Sequence, residues 1–130
     1  MTASLPLWLN ASAQLYKFYE KGKAGYKNGD GAIIISPAYD FGSEFKNGTA
    51  LVVKNGKRGF IDAIGREIIT PQYEDASMFC DGLAKVCLNK KYGYIDFKGE
   101  TVIPFQYDFA DDFRNGMARV SKNGMYGFIV

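Results

Sequence analysis

Apolar and polar positions alternate along this chain in short runs, and turn residues interrupt the runs too often for helices. Ala50-Leu51-Val52-Val53, Gly59-Phe60-Ile61-Asp62 and Glu67-Ile68-Ile69-Thr70 are rich in β-branched and aromatic residues and have the length of strands. Asn55-Gly56 and Asn123-Gly124 are strong hairpin signals, because both central residues of a type I′ turn need positive φ. Gly65 and Gly99 mark a second turn. The pattern predicts strands over 49–53, 58–62 and 67–70, followed by an ordered loop over 71–82.

This unit repeats. Gly25-Tyr26, Gly59-Phe60, Gly93-Tyr94 and Gly127-Phe128 recur at a 34-residue interval. The same interval links Tyr39, Tyr73 and Tyr107; Phe45, Phe79 and Phe113; and Asp40, Glu74 and Asp108. Pro37 and Pro71 obey it, whereas Pro104 falls one residue early, which predicts a local shift in the third unit. The expected fold class is therefore all-β: an open array of three-stranded antiparallel meanders, three units and a partial fourth. A lone meander cannot cover its apolar face, so neighbours must stack.

Leu15 to Tyr19 reads as the first strand, and Met117 to Val130 as the only two strands of the last unit. Tyr73 and Phe79 are expected to turn inward between meanders, and Tyr26, Phe60, Tyr94 and Phe128 to form a buried aromatic ladder. Residues 1–14 do not fit the repeat; Ser4 before Leu5-Pro6 suggests a short helical cap, with Trp8 as a lid on the core. The result is one domain, cap 1–14 and repeat 15–130.

These residues resemble the WG repeat family, also called KWG repeats, which occurs mostly in bacterial proteins. The resemblance rests on Gly-Phe-Ile-Asp at 59–62, Gly-Tyr-Ile-Asp at 93–96, Thr-Val-Ile-Pro-Phe-Gln-Tyr-Asp at 101–108 and Phe-Arg-Asn-Gly-Met-Ala-Arg-Val at 113–120. At the positions of the family's tryptophan stand Ala24, Arg58, Tyr92 and Tyr126. The resemblance implies a binding module rather than an enzyme, and some members look associated with bacterial conflict systems, in which small proteins neutralise toxins.

Composition narrows the chemistry. The chain has no histidine, which excludes Ser-His-Asp and Cys-His catalysis and histidine-containing zinc sites. Cys80 and Cys87 fit no metal-ligand spacing and read as free thiols. No cofactor or metal is expected. Asp111-Asp112 and Glu74-Asp75 could supply an acid and a base, but Asp62, Asp96 and Asp81 recur at turn positions, where short polar side chains stabilise the backbone. No apolar run reaches membrane-spanning length, and the stretch Leu5 to Leu9 is too short, and too far from the first basic residue Lys17, for a signal peptide. The expected location is the cytoplasm, away from the membrane.

Net charge is only +2, so it names no partner, but the charges segregate along the chain. Lys21, Lys23, Lys54, Lys57, Arg58, Lys90, Lys91 and Lys122 lie in or beside the first hairpin turns. Asp40, Glu44, Glu74, Asp75, Asp81, Asp108, Asp111 and Asp112 lie in the long loops. Stacking is expected to align them into a basic ridge and an opposed acidic one. The acidic set suits a basic protein partner, such as a toxin domain held by an immunity or inhibitor protein; the basic set offers the alternative of nucleic acid.

Overall fold

The computed structural model describes residues 14–130. The expected cap, with Trp8 and Leu5-Pro6, lies outside the described residues apart from Gln14. The described chain holds fourteen strands and no helix. They are β1 (Tyr16–Glu20), β2 (Lys23–Lys27), β3 (Ile33–Tyr39), β4 (Phe41–Gly42), β5 (Thr49–Lys54), β6 (Lys57–Asp62) and β7 (Glu67–Tyr73). There follow β8 (Asp75–Ala76), β9 (Ala84–Leu88), β10 (Lys91–Ile95), β11 (Thr101–Tyr107), β12 (Phe109–Ala110), β13 (Ala118–Lys122) and β14 (Met125–Ile129). All pairings are antiparallel, in four sheets ordered β1-β2-β3, β4-β5-β6-β7, β8-β9-β10-β11 and β12-β13-β14. Among the described residues no pairing joins the first sheet to the last, so the array they form is open.

The turns explain the hairpins. Asn55 and Gly56 have φ of 53° and 76°, and Asn123 and Gly124 52° and 79°, as type I′ turns require. A second tight turn, at Asn47-Gly48, Asp81-Gly82 and Asn115-Gly116, folds each loop back on itself through the bridges Lys46 to Thr49, Cys80 to Leu83 and Arg114 to Met117. Asp62 closes the turn between β6 and β7 by accepting the amides of Ile64 at 3.1 Å and Arg66 at 2.8 Å. Asn28 and Asp96 do the same one unit earlier and later.

The expected meander differs in one respect. The third strand does not stop at Thr70 but runs through Pro71 to Tyr73. Arg58 pairs with Tyr73 and Phe60 with Ile69, so Thr70, Pro71 and Gln72 bulge out opposite the single residue Gly59. Proline is tolerated there because β7 is the sheet's edge and the bulge withdraws it from the ladder. In the third unit Tyr92 pairs with Tyr107 and Tyr94 with Ile103, so the early Pro104 moves within the bulge and the register does not slip.

The loop, too, contains a strand the sequence pattern did not predict. Asp75–Ala76 pairs with Cys87 and Val86 of the next unit, and Phe41–Gly42 and Phe109–Ala110 do likewise. Each unit thus hands a short strand to its successor, which makes the two middle sheets four-stranded.

The core lies between units. Tyr26, Ala24, Ile35 and Tyr39 of the first unit pack with Ala50, Val52 and Ile61 of the second. Phe60, Ile69 and Tyr73 pack with Phe79, Ala84, Val86 and Ile95, and Tyr94 packs with Ala110, Phe113, Ala118 and Val120. Loop phenylalanines meet ladder rings edge-on or tilted: Phe45 on Tyr26 at 4.8 Å, Phe79 on Phe60 at 4.9 Å and Phe113 on Tyr94 at 4.9 Å. The ladder ends at Tyr94. Phe128, expected to continue it, is 69% exposed, because among the described residues no further unit stacks on it.

Candidate protein-binding surfaces

The two charged edges do not form separately. Asp40, Glu74 and Asp108 sit where the chain crosses from one sheet to the next, against the hairpin turns that carry the lysines. Asp40 is paired with Lys23 and accepts the Asn55 amide at 2.9 Å; Asp108 is paired with Lys91 and accepts the Asn123 amide at 3.0 Å. Glu74 accepts the amides of Asn89 at 2.8 Å and Lys90 at 3.0 Å. Lys23 and the Asn55 amide hold the Asp40 carboxyl below its ordinary range, as Lys91 and the Asn123 amide do for Asp108. The Lys90 and Asn89 amides do the same for Glu74. These three carboxylates clamp one unit's sheet to the next unit's turn.

Arg58 belongs to the same clamp, since its guanidinium donates to the Glu74 carbonyl at 2.7 Å. Lys122 donates to Gln106 at 3.2 Å. Lys21, Lys54, Lys57 and Lys90 are exposed and form no ion pair among the described residues. The expected basic ridge is therefore an edge of lysines interleaved with carboxylates.

The remaining acidic candidates lie nearer the stacking seam, and most are engaged. Asp75 accepts the Tyr92 hydroxyl at 2.8 Å, a bond that, with burial, pushes the phenol up to about 12. Asp112 accepts the Ser77 hydroxyl at 2.6 Å, and Asp111 lies 3.5 Å from the Arg119 guanidinium. Asp81 accepts the Gly116 amide at 3.0 Å, joining successive tight turns. Glu44 is exposed and forms no ion pair among the described residues. Cys80 and Cys87 are free, and burial pushes the Cys87 thiol up. Among the described residues no group of three or more His, Cys, Asp or Glu side chains is placed to hold a metal ion.

A surface the charge pattern did not point to lies at the C-terminal end of the array. Met125, Tyr126, Phe128 and Val130 are 73%, 65%, 69% and 93% exposed. Beside Phe128 a hollow of about 510 Å³ is lined by Lys85, Asp111, Asp112, Arg114, Arg119 and Phe128, among others. Nearer the turn between β13 and β14, a hollow of about 320 Å³ is lined by Val120, Lys122, Met125, Tyr126 and Gly127, among others. Arg119 reaches over the rings of Phe109 and Tyr126 at 5.5 and 5.4 Å. The sequence did carry a signal for this surface: Met125, Tyr126 and Phe128 set three large apolar side chains around Gly127.

The profile of the WG containing repeat family matches three consecutive stretches, residues 25–57, 59–92 and 92–126. No curated protein and no solved structure matches the chain.

Proposed function

The chain belongs to the family of WG containing repeats, and we propose that it works as a non-enzymatic protein-binding module. The observation that carries this reading is the exposed apolar group Met125, Tyr126 and Phe128 on β14, beside mixed charge. Such a surface gains by excluding water against another protein, whereas nucleic-acid affinity comes from neutralising phosphates. The lysine edge is poorly suited to the latter, since carboxylates at Asp40 and Asp108 already pair with Lys23 and Lys91.

The narrower proposal is an immunity or inhibitor protein acting in the cytoplasm. Glu44 and Asp111 would be its acidic contacts to a basic toxin domain. Asp40, Glu74 and Asp108 are left out of that role, because their carboxylates are used between units.

Purified basic toxin domains and short labelled RNA and DNA oligonucleotides, titrated in parallel, test the reading. The expected result is binding of a protein, weakened at least tenfold by Glu44→Lys combined with Asp111→Lys, since like charges then face each other. Oligonucleotide binding that falls steeply between about 50 and 200 mM salt, and disappears in Lys54→Glu, Lys57→Glu, Lys90→Glu, would transfer the function to the nucleic-acid alternative.

A further inference from the structure

We propose that the hollow between the three tight loop turns is a binding site for a carboxylate side chain, a glutamate presented by an extended segment of a protein partner. None of Met125, Tyr126 and Phe128 lines it, so it goes beyond the reading built on them.

The site follows from one repeat position. Lys46, Cys80 and Arg114 stand at the same place in successive loops, 34 residues apart. Two long cationic side chains thus flank a short thiol. A hollow of about 450 Å³ results, with Lys46, Asn47, Cys80, Asp81, Arg114 and Asn115 in its lining.

The backbone around this hollow is fixed before any ligand arrives. Each turn is closed by main-chain hydrogen bonds, Lys46 with Thr49, Cys80 with Leu83 and Arg114 with Met117. Asp81 ties the second turn to the third by accepting the Gly116 amide at 3.0 Å. A site formed in advance loses less ordering entropy on binding.

Charge selects the ligand. Lys46 and Arg114 are exposed and form no ion pair among the described residues, and the remaining charge in the lining is the carboxylate of Asp81. The lining therefore carries one net positive charge, which a monoanion neutralises and a dianion such as a phosphate ester overshoots. Arg114 supplies the forked N–H donors that match a carboxylate, Lys46 a point charge, and Asn47 and Asn115 further amide donors. Phe79 and Phe113 also line the hollow and give the methylenes of a glutamate apolar surface. Exposed ion pairs are individually weak, so the site serves as one anchor within a larger interface and holds an isolated peptide loosely.

The test follows the amide chemical shifts of the isotope-labelled whole chain by NMR while a blocked Ala-Glu-Ala peptide is added, with blocked Ala-Gln-Ala as control. The expected result is saturable shifts at Asn47, Cys80, Asp81, Arg114 and Asn115 with the glutamate peptide only. Lys46→Gln and Arg114→Gln should each weaken binding at least about threefold, the scale of an exposed ion pair. Cys80→Leu fills the hollow without changing its charge and should weaken binding as much. Unchanged binding in Cys80→Leu would overturn the proposal, since charge alone would then account for the affinity. So would the absence of saturable shifts, an equal response to the glutamine peptide, or shifts centred on Lys54, Lys57 and Lys90, which would move the site to the hairpin edge. A blocked Ala-phosphoserine-Ala peptide that binds much more tightly than the glutamate peptide would overturn the choice of a monoanion. None of these outcomes bears on the exposed surface of β14, which the toxin-domain titration tests separately.

Discussion

Two glycines 68 residues apart in the same repeat position should respond oppositely to one substitution. Gly59→Ala drives a methyl group into the backbone of β7, where no flexible side chain can yield, and is expected to cost about 3 kcal/mol or more in denaturant unfolding. Gly127→Ala enters open space and should be neutral or stabilising by up to about 1 kcal/mol. A loss comparable to that of Gly59→Ala would show that something already covers Gly127. Lys90 is a second residue-scale case. It holds φ of 66° at the turn position that Gly22, Gly56 and Gly124 fill elsewhere. Left-handed strain at a non-glycine residue costs roughly 1 to 2 kcal/mol, against about 0.5 to 1 kcal/mol for glycine's extra unfolded freedom. Lys90→Gly is therefore expected to stabilise by about 0.5 to 1 kcal/mol, and a lower melting temperature would refute that balance.

At the scale of elements, the crossovers and the loop plugs hold the units together. Because Asp40, Glu74 and Asp108 titrate below their ordinary range when folded, their contribution is present above about pH 4, the unfolded value, and is lost as pH falls through the lowered folded values. Melting should therefore be less sensitive to acid in the triple variant Asp40→Asn, Glu74→Gln, Asp108→Asn, while that variant is less stable at neutral pH. An unchanged acid dependence would assign the acid response to other carboxylates. Phe79, buried between Phe60 and Phe97, should cost about 3 to 5 kcal/mol as Phe79→Ala; a change within about 0.5 kcal/mol is what a surface position would give. The hairpins were legible in the sequence because Asn-Gly turns and alternation are local signals. The short strand Asp75–Ala76 was not, because its partner lies in the next unit. The same non-locality misplaced the charges: lysines and carboxylates 17 residues apart in Lys23–Asp40 and Lys91–Asp108 look segregated along the chain and meet at a crossover.

At the scale of the molecule, each cluster of buried residues joins two neighbouring units. Stability should then be a sum of nearest-neighbour terms, and opening should begin at an end. Among the described residues the sheet β12-β13-β14 is the less supported, since it has three strands against the four of the middle sheets and Phe128 is exposed. Hydrogen exchange by residue gives this content. Amides of β5, β6, β9 and β10, in the two four-stranded sheets, should be the slowest, and those of β13 and β14 faster. Phe113→Ala removes the ring that packs edge-on against Tyr94 and belongs to the last cluster alone. It should accelerate exchange in β12 to β14 at least tenfold while leaving β1, β2 and β5 within about twofold, since a nearest-neighbour array does not pass the loss along. Uniform acceleration through all four sheets would mean instead that the array unfolds as one cooperative block.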